Sequence, residues 1–144
     1  MICGTAQAAD WTVDINGSGD FQNIQDAVNS ASPGDRIEVQ AGTYEEAIHP
    51  AGKDLEFIAL GDVRLIPPTS PQAPSFPLDS GETLATVIDG FRIEATEGLG
   101  IWTQNASATI RNLKVAGLGD TQGGAIRQEG GEIHLSNSEF YGGY

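Results

Sequence analysis

Cysteine is nearly absent from this chain of 144 residues: Cys3 is the only one. No disulfide can therefore form within it, and zinc sites built from four cysteines, or from two cysteines and two histidines, are excluded. Cationic side chains are also scarce, with 7 Lys and Arg against 20 Asp and Glu, a formal charge of −13. Such a field repels phosphate backbones and anionic lipid, so nucleic acid is not an expected partner. A polyanionic glycan would need Ca2+ as a bridge. No apolar run is long enough to cross a bilayer as a helix, and no membrane insertion is expected. The sequence carries no H-E-x-x-H, no nucleophile elbow and no phosphate loop. His49 and His134 lie far apart, outside metal-ligand spacing, so no metal or other cofactor is expected. Asp10, Asp14, Asp20, Glu45 and Glu46 sit near turns where Ca2+ could bind, but they form no dedicated loop; turn and solubility roles account for them. No two carboxylates can be assigned acid and base roles, which speaks against catalysis by this chain alone.

What the chain does contain is glycine, 19 residues of it, in a composition that is 39% apolar. That mixture suits an all-β protein with many tight turns. Residues 1–10 resemble the tail of a secretory signal, with Ala6-Gln7-Ala8 in the small-x-small form of a cleavage site. A secreted, periplasmic or cell-surface location is expected, and residues 11–144 are read as one incomplete domain.

Trp11 to Ile15 alternates as a strand and ends at Asn16-Gly17-Ser18-Gly19. Asp20 is placed to cap a helix whose apolar stripe is Ile24, Ala27, Val28 and Ala31, stopped by Pro33-Gly34-Asp35. Arg36 to Gln40 reads as a strand and Ala41-Gly42-Thr43-Tyr44 as a turn. Leu55 to Leu60 and Val63 to Ile66 read as two further short strands. Five of the seven prolines fall between Pro67 and Pro77. Proline cannot donate to a ladder, so residues 67–80 are read as a long excursion within the domain.

The informative feature is an internal repeat. Leu99 to Gly117 slides onto Gly124 to Gly142 at an offset of 25 without a gap, placing Ile101 on Ile126, Ala108 on Ile133, Ile110 on Leu135 and Val115 on Phe140. Ile88 to Ile93 falls on Ile110 to Val115, and Leu60 to Leu65 takes the same pattern one step back. The unit is apolar, x, Gly/Asn/Asp, apolar, charged, apolar. Two strands meet at a corner whose middle residue must tolerate left-handed angles. Arg64, Arg92, Lys114 and Glu139 then form an outer column, and Asn112 and Asn137 could stack as an internal amide ladder. The repeat is too short for a strand plus a crossover helix, but a coil of three strands fits. The fold class expected is all-β: a right-handed parallel β-helix, a solenoid, with a short N-terminal capping α-helix. An immunoglobulin-like sandwich would need hairpins and would not give a gapless repeat.

Asn16 to Val28, continued through Pro33 to Val39 and Ala41 to Glu46, resembles the opening of pectin methylesterases and other pectin-lyase-like β-helix proteins. The resemblance implies the architecture, with the helix plugging the first coil; lyases, hydrolases, esterases and adhesins share it. Gln122-Gly123-Gly124-Ala125-Ile126-Arg127 is similar to an esterase segment whose glutamine stabilises an oxyanion, which makes Gln122 the one candidate catalytic residue. Tyr144 takes the place of that family's second glutamine, and its catalytic Asp and Arg residues have no counterpart among these residues. Gly-Gly-Ala-Ile followed by Asn-Ser-x-Phe also resembles repeats of bacterial surface proteins, which are structural or adhesive.

Repeat parity points Trp102 and Arg127 outward on neighbouring coils, an indole beside a guanidinium, where a sugar ring and its hydroxyls could bind. Gln104, Glu129 and Gln122 could add hydrogen bonds along that face. Alternatively, Phe76 of the proline-rich loop folds over Trp102 and buries it. Two functions stay open: a polysaccharide-binding or polysaccharide-processing domain, or a non-catalytic adhesive stalk. An uncovered C-terminal coil needs a cover, so either the native protein continues or the chain associates with another copy; self-association is expected of the isolated chain.

Overall fold

A computed structural model describes residues 7–68, 73–95, 99–118 and 124–142. Its elements are β1 (Asp10–Val13), α1 (Ile24–Ser30), β2 (Arg36–Glu45), β3 (Glu56–Ile66), β4 (Phe76–Leu78), β5 (Val87–Asp89), β6 (Arg92–Glu94), β7 (Ile101–Gln104), β8 (Ala108–Arg111), β9 (Lys114–Leu118), β10 (Ile126–Glu129), β11 (Ile133–Ser136) and β12 (Glu139–Gly142). Every strand pairing among them is parallel. The chain is a β-solenoid of about five coils. One face stacks β1, the first half of β2, the first half of β3, β5, β8 and β11. A second stacks the later halves of β2 and β3 with β6, β9 and β12. The third carries β4, β7 and β10.

The side-chain period of two sends alternate residues into a shared interior. Ile37, Phe57, Ile88 and Ile110 form one buried column, and Tyr44, Leu65, Ile93 and Val115 a second. Phe76 and Ile101 begin the third. The Phe76 ring meets Phe57 and Phe91 edge-on, at 5.3 and 5.8 Å between centroids. Burial of each such side chain stabilises by about 2 kcal/mol before ordering costs. On the last coil described, the same columns hold Leu135 and Phe140, which are 44% and 41% exposed.

The 25-residue offset is the register of the last two coils: Ile101 pairs with Ile126, Ala108 with Ile133, Ile110 with Leu135 and Val115 with Phe140. The corners follow the expected chemistry, since Gly90, Asn112 and Asn137 all have positive φ. The amide ladder also forms, Asn137 Nδ2 donating to Asn112 Oδ1 and Asn112 Nδ2 to Asp89 Oδ1. It lies on the exposed outer corner, not in the interior as expected. The left-handed corner turns the amide away from the interior of the solenoid.

The first coils depart from the reading. Gly42 lies within β2, which runs unbroken through the expected turn, and β3 likewise joins two expected strands. Phe57, not Leu60, pairs with Ile88, and Leu60 is exposed. Between Ile58 and Arg64 the chain has three more residues than between their partners Asp89 and Arg92. The wider bend takes its positive φ at Gly61 and not at Asp62, the residue expected to hold the corner. Arg64, Arg92, Lys114 and Glu139 nevertheless line up as one outer column.

The proline-rich excursion also returns to the sheet earlier than expected. Residues 69–72 lie outside the described part, but Phe76–Leu78 is a strand. The Phe76 N–H donates toward β7, to Gly100 O. Alternation then points the Pro77 nitrogen at the open edge, where no donor is needed.

Asp20 does not cap α1. Its carboxylate accepts from the backbone N–H and the hydroxyl of Thr12, both at 2.9 Å, tying the turn to β1. Asn23 takes the N-cap position without a side-chain cap bond. The anion at the helix N-terminus is Glu46, which accepts from the Gln25 N–H at 2.9 Å. Burial pushes the Glu46 carboxyl up against those backbone donors. At the other end, Lys53 Nζ donates to Val28 O at 2.8 Å. Residues 46–53 thus clamp the helix, and its Ile24, Ala27 and Val28 are buried against β1 and β2.

Candidate functional site

The third face is short, and its alternation decides what it presents. Phe76, Ile101 and Ile126 are in register and point inward; Pro77, Trp102 and Arg127 are in register and point outward. Trp102 is half-buried and Arg127 exposed. Together with Pro74, Leu99 and Glu129 they line a cavity of about 240 Å3. Arg127 and Glu129 stand two apart on β10, so both project outward, and Arg127 Nε meets Glu129 Oε1 at 2.6 Å. Side chains 55% and 36% exposed leave this pair open to solvent on one side.

The expected residues are therefore brought together in part. Trp102, Arg127 and Glu129 share the cavity. Gln104 pairs with Glu129 across the ladder but is exposed and does not line it. Gln122 lies outside the described residues, so the candidate oxyanion donor has no described place. Phe76 does not cover Trp102; it faces the core, because its strand begins one coil below Ile101 in the same inward column. The loop supplies Pro74 as a wall instead.

Pro74 and Leu99 were not foreseen. Each stands two positions before an inward-facing strand residue, Phe76 and Ile101, so strand parity would have sent both to the core; they precede their strands and wall the cavity instead. The Thr103 hydroxyl is buried in the next inward position without a hydrogen-bond partner among the described residues.

No family model and no curated protein matches this chain.

Among the described lining residues the only carboxylate is Glu129, and its partner is a guanidinium. This arrangement offers an aromatic face, two aliphatic walls and a neutralised pair of donors and acceptors. It has no second acid with which to share a proton. Among the described residues no group of three His, Cys, Asp or Glu side chains is placed to hold a metal ion. Nor is any described helix long and apolar enough to cross a membrane.

His134, read as a solvated outward residue, is exposed on β11 and contacts Glu132 at 2.6 Å.

Proposed function

We propose that this chain is a secreted polysaccharide-binding solenoid of the pectin-lyase-like kind, with a sugar seated on the third face at Trp102. One observation carries the reading: a half-buried indole lies in a cavity whose polar rim is the Arg127–Glu129 pair. The C–H face of a pyranose stacks on an indole, burying apolar area while its hydroxyls stay at the edge. Arg127 offers only donors and Glu129 only acceptors, so a hydroxyl reaching both is satisfied in each role. A cavity of about 240 Å3 is below the usual range for drug-sized ligands and suits a single ring of a longer chain.

A glycan-array screen followed by calorimetric titration tests this. Wild type is expected to bind a neutral or acidic oligosaccharide, and Trp102→Ala to weaken that binding at least tenfold, about 1.4 kcal/mol, with the fold retained. Absence of binding by wild type to any glycan supports the second reading, an adhesive stalk that self-associates. Exposed Leu135 and Phe140 on the last coil described favour that reading, a second copy being their proposed cover.

A further inference from the structure

The second face carries an independent feature. Three of the seven cationic side chains, Arg64, Arg92 and Lys114, stand in direct register on successive strands β3, β6 and β9. Like charges placed directly opposite across a ladder repel one another, so each step of this column needs a counter-charge. The first step has one. Glu94, at the end of β6, receives Arg64 Nε at 3.0 Å together with one terminal nitrogen. Arg92 is left 3.7 Å from that same oxygen, beyond hydrogen-bond reach.

The second step lacks the equivalent group. Ala116 is the register partner of Glu94, so a methyl stands where the carboxylate stood one coil earlier. Above it, Glu139 is engaged by the Tyr141 hydroxyl and remains 3.9 Å from Lys114 Nζ. Among the described residues, neither Arg92 nor Lys114 makes a side-chain hydrogen bond within the column, and both are about half exposed. Arg92, Lys114, Ala116 and Tyr141 line a cavity of about 340 Å3. The ladder slips between Phe140 and Gly142, which leaves Tyr141 out of the pairing and its ring at the cavity wall.

We infer that this cavity is an oxyanion site that takes a sulfate or phosphate group carried on a ring. The anion replaces the carboxylate that Ala116 omits, bridging Arg92 and Lys114 while Tyr141 covers the ring. Its donors approach from two different strands and not as one planar fork. That convergence fits a tetrahedral oxyanion better than a flat carboxylate, which arginine grips bidentately. The site opens on a different face from Trp102, so neither proposal depends on the other.

The test is an NMR titration of isotope-labelled full chain with sodium sulfate and with sodium phosphate, ionic strength held constant with sodium chloride. Saturable shifts are expected at Ala116 and the Tyr141 ring, with a Kd in the low millimolar range. Arg92→Gln and Lys114→Gln should each weaken binding at least fivefold while keeping the wild-type circular dichroism, and Trp102→Ala should leave it unchanged. A sulfated and a phosphorylated monosaccharide then separate the two sources, the preferred one binding more tightly than its inorganic ion because Tyr141 contributes. Shifts that grow linearly without saturating would overturn the proposal, as would unchanged affinity in both glutamine variants. An equal response to sodium acetate would overturn the tetrahedral class.

Discussion

Replacing Asp35 with alanine is expected to destabilise the protein by about 3 kcal/mol, the loss of several hydrogen bonds to one buried charge. The Asp35 carboxylate accepts from the Trp11 indole Nε1 at 2.9 Å, the Ala9 N–H at 2.8 Å and the Ser32 N–H at 2.9 Å. It thereby fastens the first strand and the end of the helix to the start of β2, the point where the stack must be closed. The indole bond, followed by those from Ala9 and Ser32, holds the carboxyl below its ordinary 3.8 despite burial. A depressed folded value means that Asp35 stabilises above the unfolded-state pKa. That contribution is lost as pH falls through the lower folded value. Urea titrations at a series of pH values check both parts. Wild type should lose stability on acidification below about pH 4, and Asp35→Ala should start lower and fall less steeply. Equal pH dependence in the two proteins would show that Asp35 is not the acid-sensitive fastening.

The second large effect belongs to Gly131. It has a φ of +81°, and a Cβ there would overlap the carbonyl oxygen of Ala106 on the coil below. Ala106 is buried and is backbone to a stacked coil, so neither partner can yield without opening the ladder between β8 and β11. Gly131→Ala combines left-handed strain of about 1 kcal/mol with overpacking of about 2 kcal/mol. Gly81→Ala is the control, since Gly81 has a φ of +87° but nothing within 4 Å of the added methyl. It should cost only the strain. Thermal unfolding of both variants separates the terms, and equal losses would mean that the coils are not in close contact at Gly131.

These two positions also show where the sequence was legible. From Ile88 onward the corner between the first and second faces turns at a single left-handed residue, Gly90, Asn112 or Asn137, so residues counted from that corner take equal positions in space. Matching residues of the repeat then fall into register. In the first coils the corner is a wide arc carried by continuous strands, and identical-looking residues no longer superpose. Leu60 matches the pattern, yet Phe57 fills the column. Pro77 departs from expectation for a different reason: the rule against proline in strands lapses at an open edge, and nothing local says that a strand is at an edge. The helix anion was illegible because Glu46 comes from 21 residues downstream of Gln25. At the candidate site, parity brings out Trp102 and Arg127. It could equally have paired Arg127 with Glu129, two positions on. Gln104 shares their strand pairing but stands outside the cavity, which parity alone does not distinguish.

The central claim is that successive coils stack in parallel register, at an offset of 25 residues between β8 and β11, and disulfide trapping tests it most directly. In a Cys3→Ser background, Thr109→Cys with His134→Cys joins exposed or half-buried register partners of β8 and β11, whose backbones are about 4.8 Å apart. This pair should oxidise rapidly and nearly completely. Thr109→Cys with Ser136→Cys sets the cysteines about 8 Å apart, beyond the roughly 7 Å that a disulfide spans, and should stay reduced under the same conditions. Efficient closure of the second pair in place of the first would contradict the stacked solenoid, and with it the outward placement of Trp102 and Arg127.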